Sequence, residues 1–112
     1  DDMIPNGFQV IAIDADPGEY IDGESAGLLT RLGGSTIGVT TDPALVRPGR
    51  VLRDVSGRYA RFFAEHGARV IVVRPDYYVY GGVSDPAQLP ALLAKLGGQL
   101  ALANESAQRQ AA

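Results

Sequence analysis

Three groups of residues could bind a ligand or take part in catalysis. They are an acidic cluster near the start, a run of arginines in the middle, and one histidine. The acidic cluster comprises Asp14, Asp16, Glu19, Asp22 and Glu24. Several carboxylates close together suit a hard cation such as calcium, but their spacing does not follow that of a calcium-binding loop. The favoured interpretation is a solvated loop that also supplies a helix cap.

The arginine run comprises Arg47, Arg50, Arg53, Arg58 and Arg61. Guanidinium groups bind planar anions, so the run suits a phosphate group or an acidic partner surface. The more common role is a solvated helix face, and a third option is pairing across a domain interface in a longer chain. Because the formal net charge is −3, we expect no basic face for nucleic acid.

His66 is the sole histidine, and no nucleophile or acid motif accompanies it. A hydrolase or isomerase that uses His66 with an aspartate is therefore the weakest functional hypothesis. The chain has no cysteine, which excludes disulfide exchange, thiolate catalysis and cysteine metal sites. Neither glycine-rich phosphate-binding motif occurs after a strand. We therefore predict no catalytic, cofactor-binding or metal-binding residue in this chain.

The elements that must position these residues follow in the order β-α-β-α-β-β-α. Apolar runs rich in β-branched residues predict strands at 8–14, 36–40 and 68–73, and a returning strand carries Tyr78 and Tyr80. Capping residues and glycines bound the three helices. They predict one helix from Asp22 to Gly33-Gly34, one from Asp54 to Gly67, and one from Ser84 or Asp85 to Gly97-Gly98.

This order predicts an α/β fold with a mixed sheet and helices on both faces. The strand-helix-strand start implies a parallel pair, and the hairpin near the end implies an antiparallel pair. That is the thioredoxin-like arrangement, and a truncated flavodoxin-like domain is the alternative. A chain of 112 residues is one domain, residues 1–112, and the polar segment 99–112 is predicted to fray.

The most distinctive segment runs from Val70 to Gly82 and reads VIVVRPDYYVYGG. Pro75 fixes the φ angle that the second position of a β-turn requires. Asp76 can accept hydrogen bonds from turn amides, and we expect Arg74 to pair with Asp76 or Asp54. The structural interpretation is a rigid turn, and the alternative is that the turn and its arginine dock another domain.

The motif Arg74-Pro75-Asp76-x-Tyr78-Val79 resembles a hairpin near the C-terminus of FAD-dependent aromatic-ring hydroxylases, of the phenol hydroxylase or 3-(3-hydroxyphenyl)propanoate hydroxylase type. The upstream Asp54-Val55-Ser56-Gly57 and the leucine-rich closing helix also fit that family. The sequence departs from many relatives after Val79, where it continues as Tyr80-Gly81-Gly82. The resemblance implies a parent enzyme that uses FAD and NAD(P)H to insert one oxygen atom into a phenolic ring.

The resemblance also implies what this chain does within such an enzyme. It would be a non-catalytic, thioredoxin-like C-terminal domain for packing or dimerisation, with FAD, NAD(P)H and substrate bound outside these residues. Its partner would be the flavin-binding domain of the same chain or a second copy, without nucleic acid or membrane, in the cytoplasm. The alternative is a stand-alone thioredoxin-like interaction module without redox activity, which would bind a protein through its tyrosine-rich hairpin.

Overall fold

The computed structural model describes residues 7–76 and 78–111, with the side chains of 101–111 left out of the description. Eight main elements follow one another along the chain. They are β1 Gln9–Ile13, α1 Gly23–Arg31, β2 Ser35–Thr40, β3 Val51–Arg53, α2 Arg58–His66, β4 Val70–Val73, β5 Val79–Val83 and α3 Leu89–Ala111.

The five strands form one sheet in the order β3-β2-β1-β4-β5. The pairs β1–β2 and β2–β3 are parallel, whereas β4 is antiparallel to both β1 and β5. The predicted mixed sheet is therefore confirmed. The predicted element order lacks β3, which the structure adds between β2 and α2 as a short edge strand where the sequence shows only a brief extended piece.

The sheet has an apolar layer on each of its two faces, because successive side chains along a strand point to opposite faces. Val10, Ala12, Val70 and Val72 pack against α1 and α3, and we call this side the two-helix face. Ile11, Val39, Ile71 and Val73 pack against Phe63 of α2, and we call this side the one-helix face. The prediction of helices on both faces is confirmed.

The first helix begins and ends as the sequence predicts. The backbone N–H of Ser25 donates to the Asp22 carboxylate at 2.8 Å, which makes Asp22 the N-cap of α1. Gly33, with φ +65°, follows the C-cap Leu32. A left-handed residue at this position commonly ends a helix.

The second helix begins later than predicted. Gly57 has φ +73°, so the helix cannot extend back through it, and α2 starts at Arg58. Val55, expected on the buried stripe, lies before the helix and is 88 % exposed. Asp54 is not the N-cap residue, but its carboxylate accepts a hydrogen bond from the backbone N–H of Ala60 at 3.0 Å. The predicted capping atom is thus right and the predicted helix start is wrong.

The third helix continues past its predicted end. The leucine spacing predicts a buried stripe of Leu89, Leu92, Leu93 and Leu96. All but the half-buried Leu92 are buried, and α3 runs through Gly97-Gly98 to Ala111. A Cβ added to Gly97 would lie 3.3 Å from the Leu28 side chain of α1, so the glycine allows close approach of the two helices. The predicted stop is therefore wrong, whereas fraying of 99–112 in solution stays a prediction. Among the described helices, none is both long and apolar enough to cross a bilayer.

Candidate interdomain surface

The Arg-Pro-Asp turn is a closed loop at one end of the sheet. The backbone N–H of Arg74 donates to the carbonyl of Tyr78 at 2.7 Å, and its guanidinium donates to the Asp76 carboxylate at 2.7 Å. The predicted ion pair with Asp76 is confirmed, whereas Asp54 caps α2 instead. The pair is about half exposed, and exposed pairs contribute only about 0–1 kcal/mol. It therefore shapes the turn more than it stabilises the fold.

A β-bulge sets the direction of the side chains after this turn. Val73 pairs with Val79, whereas Val72 pairs with Gly81, so Tyr80 is an extra residue in β5. Tyr80 packs on the two-helix face, and its hydroxyl donates to Oε1 of Gln99 in α3. Val79 lies opposite the one-helix residue Val73 and remains 46 % exposed. The bulge therefore splits the hairpin between both faces of the sheet.

Helix α2 places aromatic side chains over the one-helix face. Phe63 is its one buried residue, whereas Tyr59 is 42 % exposed. Phe62 is half-buried and stacks on His66 with ring centroids 4.2 Å apart. An open groove of about 330 Å³ lies beside these rings. It is lined by Gln9, Ile11, Arg58, Tyr59, Phe62, Ile71 and Val73.

The acidic residues divide among separate structural tasks instead of forming one site. Asp16 is 6 % exposed and accepts from the Gly18 amide at 2.9 Å, ahead of a short 3-10 helix over Pro17–Tyr20. Asp22 caps α1, and the Ser25 amide that donates to it lowers the pKa of its carboxyl. Within the described ranges, no three His, Cys, Asp or Glu side chains are placed to hold a metal ion. The predicted helix cap is confirmed at Asp22, whereas Asp16 is buried and not solvated.

Asp14 holds a conformation that the sequence does not reveal. Its φ is +58°, in the left-handed region that non-glycine residues rarely adopt. The buried hydroxyl of Thr40 donates to the Asp14 carboxylate at 2.7 Å. The backbone N–H of Asp14 donates to the carbonyl of Val39, also at 2.7 Å. These two bonds fix the end of β1 against the end of β2.

The arginines of the run lie in different parts of the fold. Arg47 and Arg50 lie in the loop before β3, where they pair with Glu19 and Asp16, each at 3.1 Å. The solvated-helix interpretation is wrong for these two, because the loop folds their side chains onto the acidic segment. Arg58 and Arg61 are exposed on α2, as that interpretation predicts.

His66 lies in the last turn of α2, where the helix dipole favours a positive charge. Its Nδ1 donates to the carbonyl of Phe62 at 2.9 Å, and the ring is exposed. His66 thus interacts with Phe62 twice, through this hydrogen bond and through the stacking of the two rings. This geometry favours a structural role at the helix end over proton transfer.

The structure thus defines a small α/β domain whose described polar side chains cap helices and join loops, and whose one-helix face carries exposed aromatic and aliphatic side chains. A family model described as the HcaD C-terminal domain matches residues 1–99. The chain belongs to that family. The resemblance to C-terminal domains of aromatic hydroxylases, predicted from the hairpin, is confirmed.

The chain is also similar in sequence to a curated hydroxylase. The chain is 32 % identical over 101 residues to a probable NADH-specific resorcinol 4-hydroxylase of Rhodococcus jostii (strain RHA1). The similarity covers 86 % of this chain but 18 % of that protein, so the chain spans less than a fifth of its relative's length. Among solved structures, none matches this chain.

Proposed function

We propose that this chain is the non-catalytic, thioredoxin-like C-terminal domain of a FAD- and NAD(P)H-dependent aromatic monooxygenase that acts on a phenolic ring. The observation that carries the proposal is membership of a family of C-terminal domains together with similarity to a relative named as an NADH-specific resorcinol hydroxylase. Flavin, nicotinamide and substrate would then bind to polypeptide outside these residues.

The strand order supports the thioredoxin-like assignment. Apart from the edge strand β3, the sheet reads β2-β1-β4-β5, with a parallel pair at one end and an antiparallel pair at the other. The flavodoxin-like alternative would have a mostly parallel sheet, which the antiparallel β4 next to β1 disfavours. In a redox thioredoxin the thiols open the first long helix, and this chain holds no cysteine.

The proposed task of the domain is packing and assembly. Several of its described carboxylates cap helices or pair with arginines, whereas Tyr59, Tyr78 and Val79 expose apolar surface to solvent. Tyrosines of this kind are enriched where protein surfaces meet. The proposed partners are the flavin-binding domain of the same polypeptide or a second copy, and the proposed location is the cytoplasm, where NAD(P)H is available.

The proposal is tested on the parent reading frame and on residues 1–112 expressed separately. We expect the parent to bind FAD and to oxidise NADH when resorcinol is added, with release of a hydroxylated product. We expect residues 1–112, folded by circular dichroism, to leave FAD fluorescence unchanged. Stoichiometric FAD binding by the short chain would contradict the proposal. So would a reading frame that starts directly before Asp1, which would favour a stand-alone module.

A further inference from the structure

We infer that the one-helix face, at the end of the sheet that carries the Arg-Pro-Asp turn, is the docking surface for the polypeptide preceding this domain in its parent enzyme. The inference rests on the proposed function, which supplies that preceding polypeptide. It adds the face and the occupant, which the proposed function leaves open.

The one-helix face is covered much less than the opposite face. Helix α2 has nine residues, of which only Phe63 is buried. On the two-helix face, Leu29 of α1 and Leu89, Leu93 and Leu96 of α3 all contribute to the core. A single short helix cannot cover a five-stranded sheet, so apolar side chains beside α2 stay in contact with water.

Two grooves flank Phe62 on this face and share Ile71 as a floor residue. One has a volume of about 330 Å³ and reaches Gln9 and Val73, and the other, of about 360 Å³, reaches Val79 and Gly82 on β5. A Cβ on Gly82 would lie 3.2 Å from the Ile71 side chain. Ile71 itself is buried, but the absence of a side chain at Gly82 leaves room beside it, and the two grooves lie on either side of the half-buried Phe62.

The chain enters the sheet beside this surface. Gln9 begins β1, lines the first groove, and pairs with Val73, the residue directly before the Arg-Pro-Asp turn. The antiparallel pairing of β1 with β4 therefore places the turn, the groove and the start of β1 at one end of the molecule. A domain attached before β1 would therefore start from this end of the sheet, where Phe8 is buried on the two-helix face and Gln9 lines the groove on the one-helix face.

Two observations favour the preceding domain over a second copy as the partner of this surface: the length of the relative and the covalent connection through β1. This chain covers 18 % of the relative's length and belongs to a family of C-terminal domains, so most of such a parent precedes β1. A short tether holds a preceding domain at an effective concentration on the order of millimolar. A second copy must instead associate from its free concentration. The tethered domain therefore occupies a modest apolar surface first.

Single cysteines introduced into the full-length parent enzyme test the inference. This domain has no cysteine of its own, so each introduced thiol gives the one labelled peptide that derives from this domain in mass spectrometry. Val79→Cys probes the proposed surface, and Leu52→Cys is the matched control. Both are aliphatic residues on edge strands, 46 % and 48 % exposed. Leu52 pairs with Val39 and so lies on the one-helix face as well, but at the opposite edge of the sheet and level with Ile13 at the other end of β1. Tyr59→Cys is a second probe if Val79→Cys disturbs folding.

We expect maleimide to label Val79→Cys and Tyr59→Cys about tenfold more slowly than Leu52→Cys in the native enzyme, and all three equally in urea. Equal native rates would overturn the inference. Protection that disappears on dilution, together with a dimer-to-monomer change in light scattering, would assign the surface to a second copy and would also overturn it. FAD content and NADH oxidation of the same samples report separately on the proposed function.

Discussion

The two faces of the sheet are built from similar strands but are completed in different ways. On the two-helix face, α1 and α3 bury four leucines against Val10, Ala12, Val70 and Val72. On the one-helix face, α2 buries Phe63 and leaves Tyr59 and Val79 partly exposed. The strands present valine and alanine to the two-helix face and isoleucine and valine to the one-helix face. Since both sets are apolar, the strand composition does not account for the difference.

The difference arises from the helices and the connections that deliver them. Helix α3 spans 23 residues and α2 spans nine. Gly57 and Gly67, both with positive φ, bound α2 at its two ends and limit the area that it covers. The two-helix face is therefore covered by two helices, whereas the one-helix face leaves Tyr59 and Val79 exposed, as the proposed docking surface requires.

The largest expected effect comes from removing the one buried anchor of α2. Phe63→Ala should lower the free energy of unfolding by about 4 kcal/mol, since a buried aromatic is lost and a cavity remains. Hydrogen exchange should show lost protection in α2 first. The control Leu93→Ala, fully buried on the two-helix face, should lower protection throughout the domain. Identical exchange patterns in the two variants would contradict the view that Phe63 is the main anchor of α2.

The next effect tests how tightly the two-helix face is closed near the ends of the parallel strands. A Cβ on Gly38 would lie 2.1 Å from the carbonyl oxygen of Ala15, a backbone atom that cannot rotate away. Gly38→Ala should therefore cost about 3 kcal/mol of stability in urea unfolding. In the control Gly27→Ala, a Cβ meets nothing within 4 Å inside α1, and stability should rise by about 1 kcal/mol. A Gly38→Ala domain of unchanged stability would refute the close contact.

A smaller effect concerns the cap on α2. Asp54 is 7 % exposed and accepts the backbone N–H of Ala60. Asp54→Ala should cost about 1 kcal/mol, because that amide loses its acceptor. Asp54→Asn keeps an oxygen in place and should cost less. Equal losses in the two variants, measured by thermal unfolding at neutral pH, would show that charge matters here and not the hydrogen bond.

The smallest effect concerns the exposed cap on α1 and appears only in acid. The Ser25 amide holds the pKa of the Asp22 carboxyl below its usual value of 3.8. The charged form therefore stabilises the folded state above that value, and the contribution is lost as pH falls through the lower folded pKa. Asp22→Asn should flatten this acid limb in urea unfolding at stepwise lower pH. An unchanged slope would mean that Asp22 titrates alike in both states.

Much of the fold was predictable because its signals are local. The β-branched runs mark β1, β2 and β4, and Asp22, Gly33 and Gly67 mark helix ends through the hydrogen bonds and φ angles that they favour. The Arg74–Asp76 pair was also predictable, because its two residues lie within one turn. In each case the residues that decide the structure are neighbours in the sequence.

The errors have a common origin in distant contacts. The glycines at 97 and 98 signal a stop, but α3 continues through them, and at Gly97 the lack of a side chain allows close approach to Leu28 of α1. Arg47 and Arg50 suggest a helix face, but β3 pairs with β2 and brings the preceding loop onto Asp16 and Glu19. The bulge in β5 has no sequence signal of its own, since two strands must pair before one residue becomes extra.

Composition and spacing were enough to establish the chemistry that this chain lacks, because thiol reactions need sulfur and phosphate-binding loops need their glycines in order. They also established the family resemblance, because the Arg-Pro-Asp hairpin is a contiguous segment. Which apolar residues face solvent depended on the fold. Val72 and Val79 are both valines beside the same turn, yet one is buried and the other is 46 % exposed. Strand register and helix length set that difference, and both arise from packing between segments far apart in the chain.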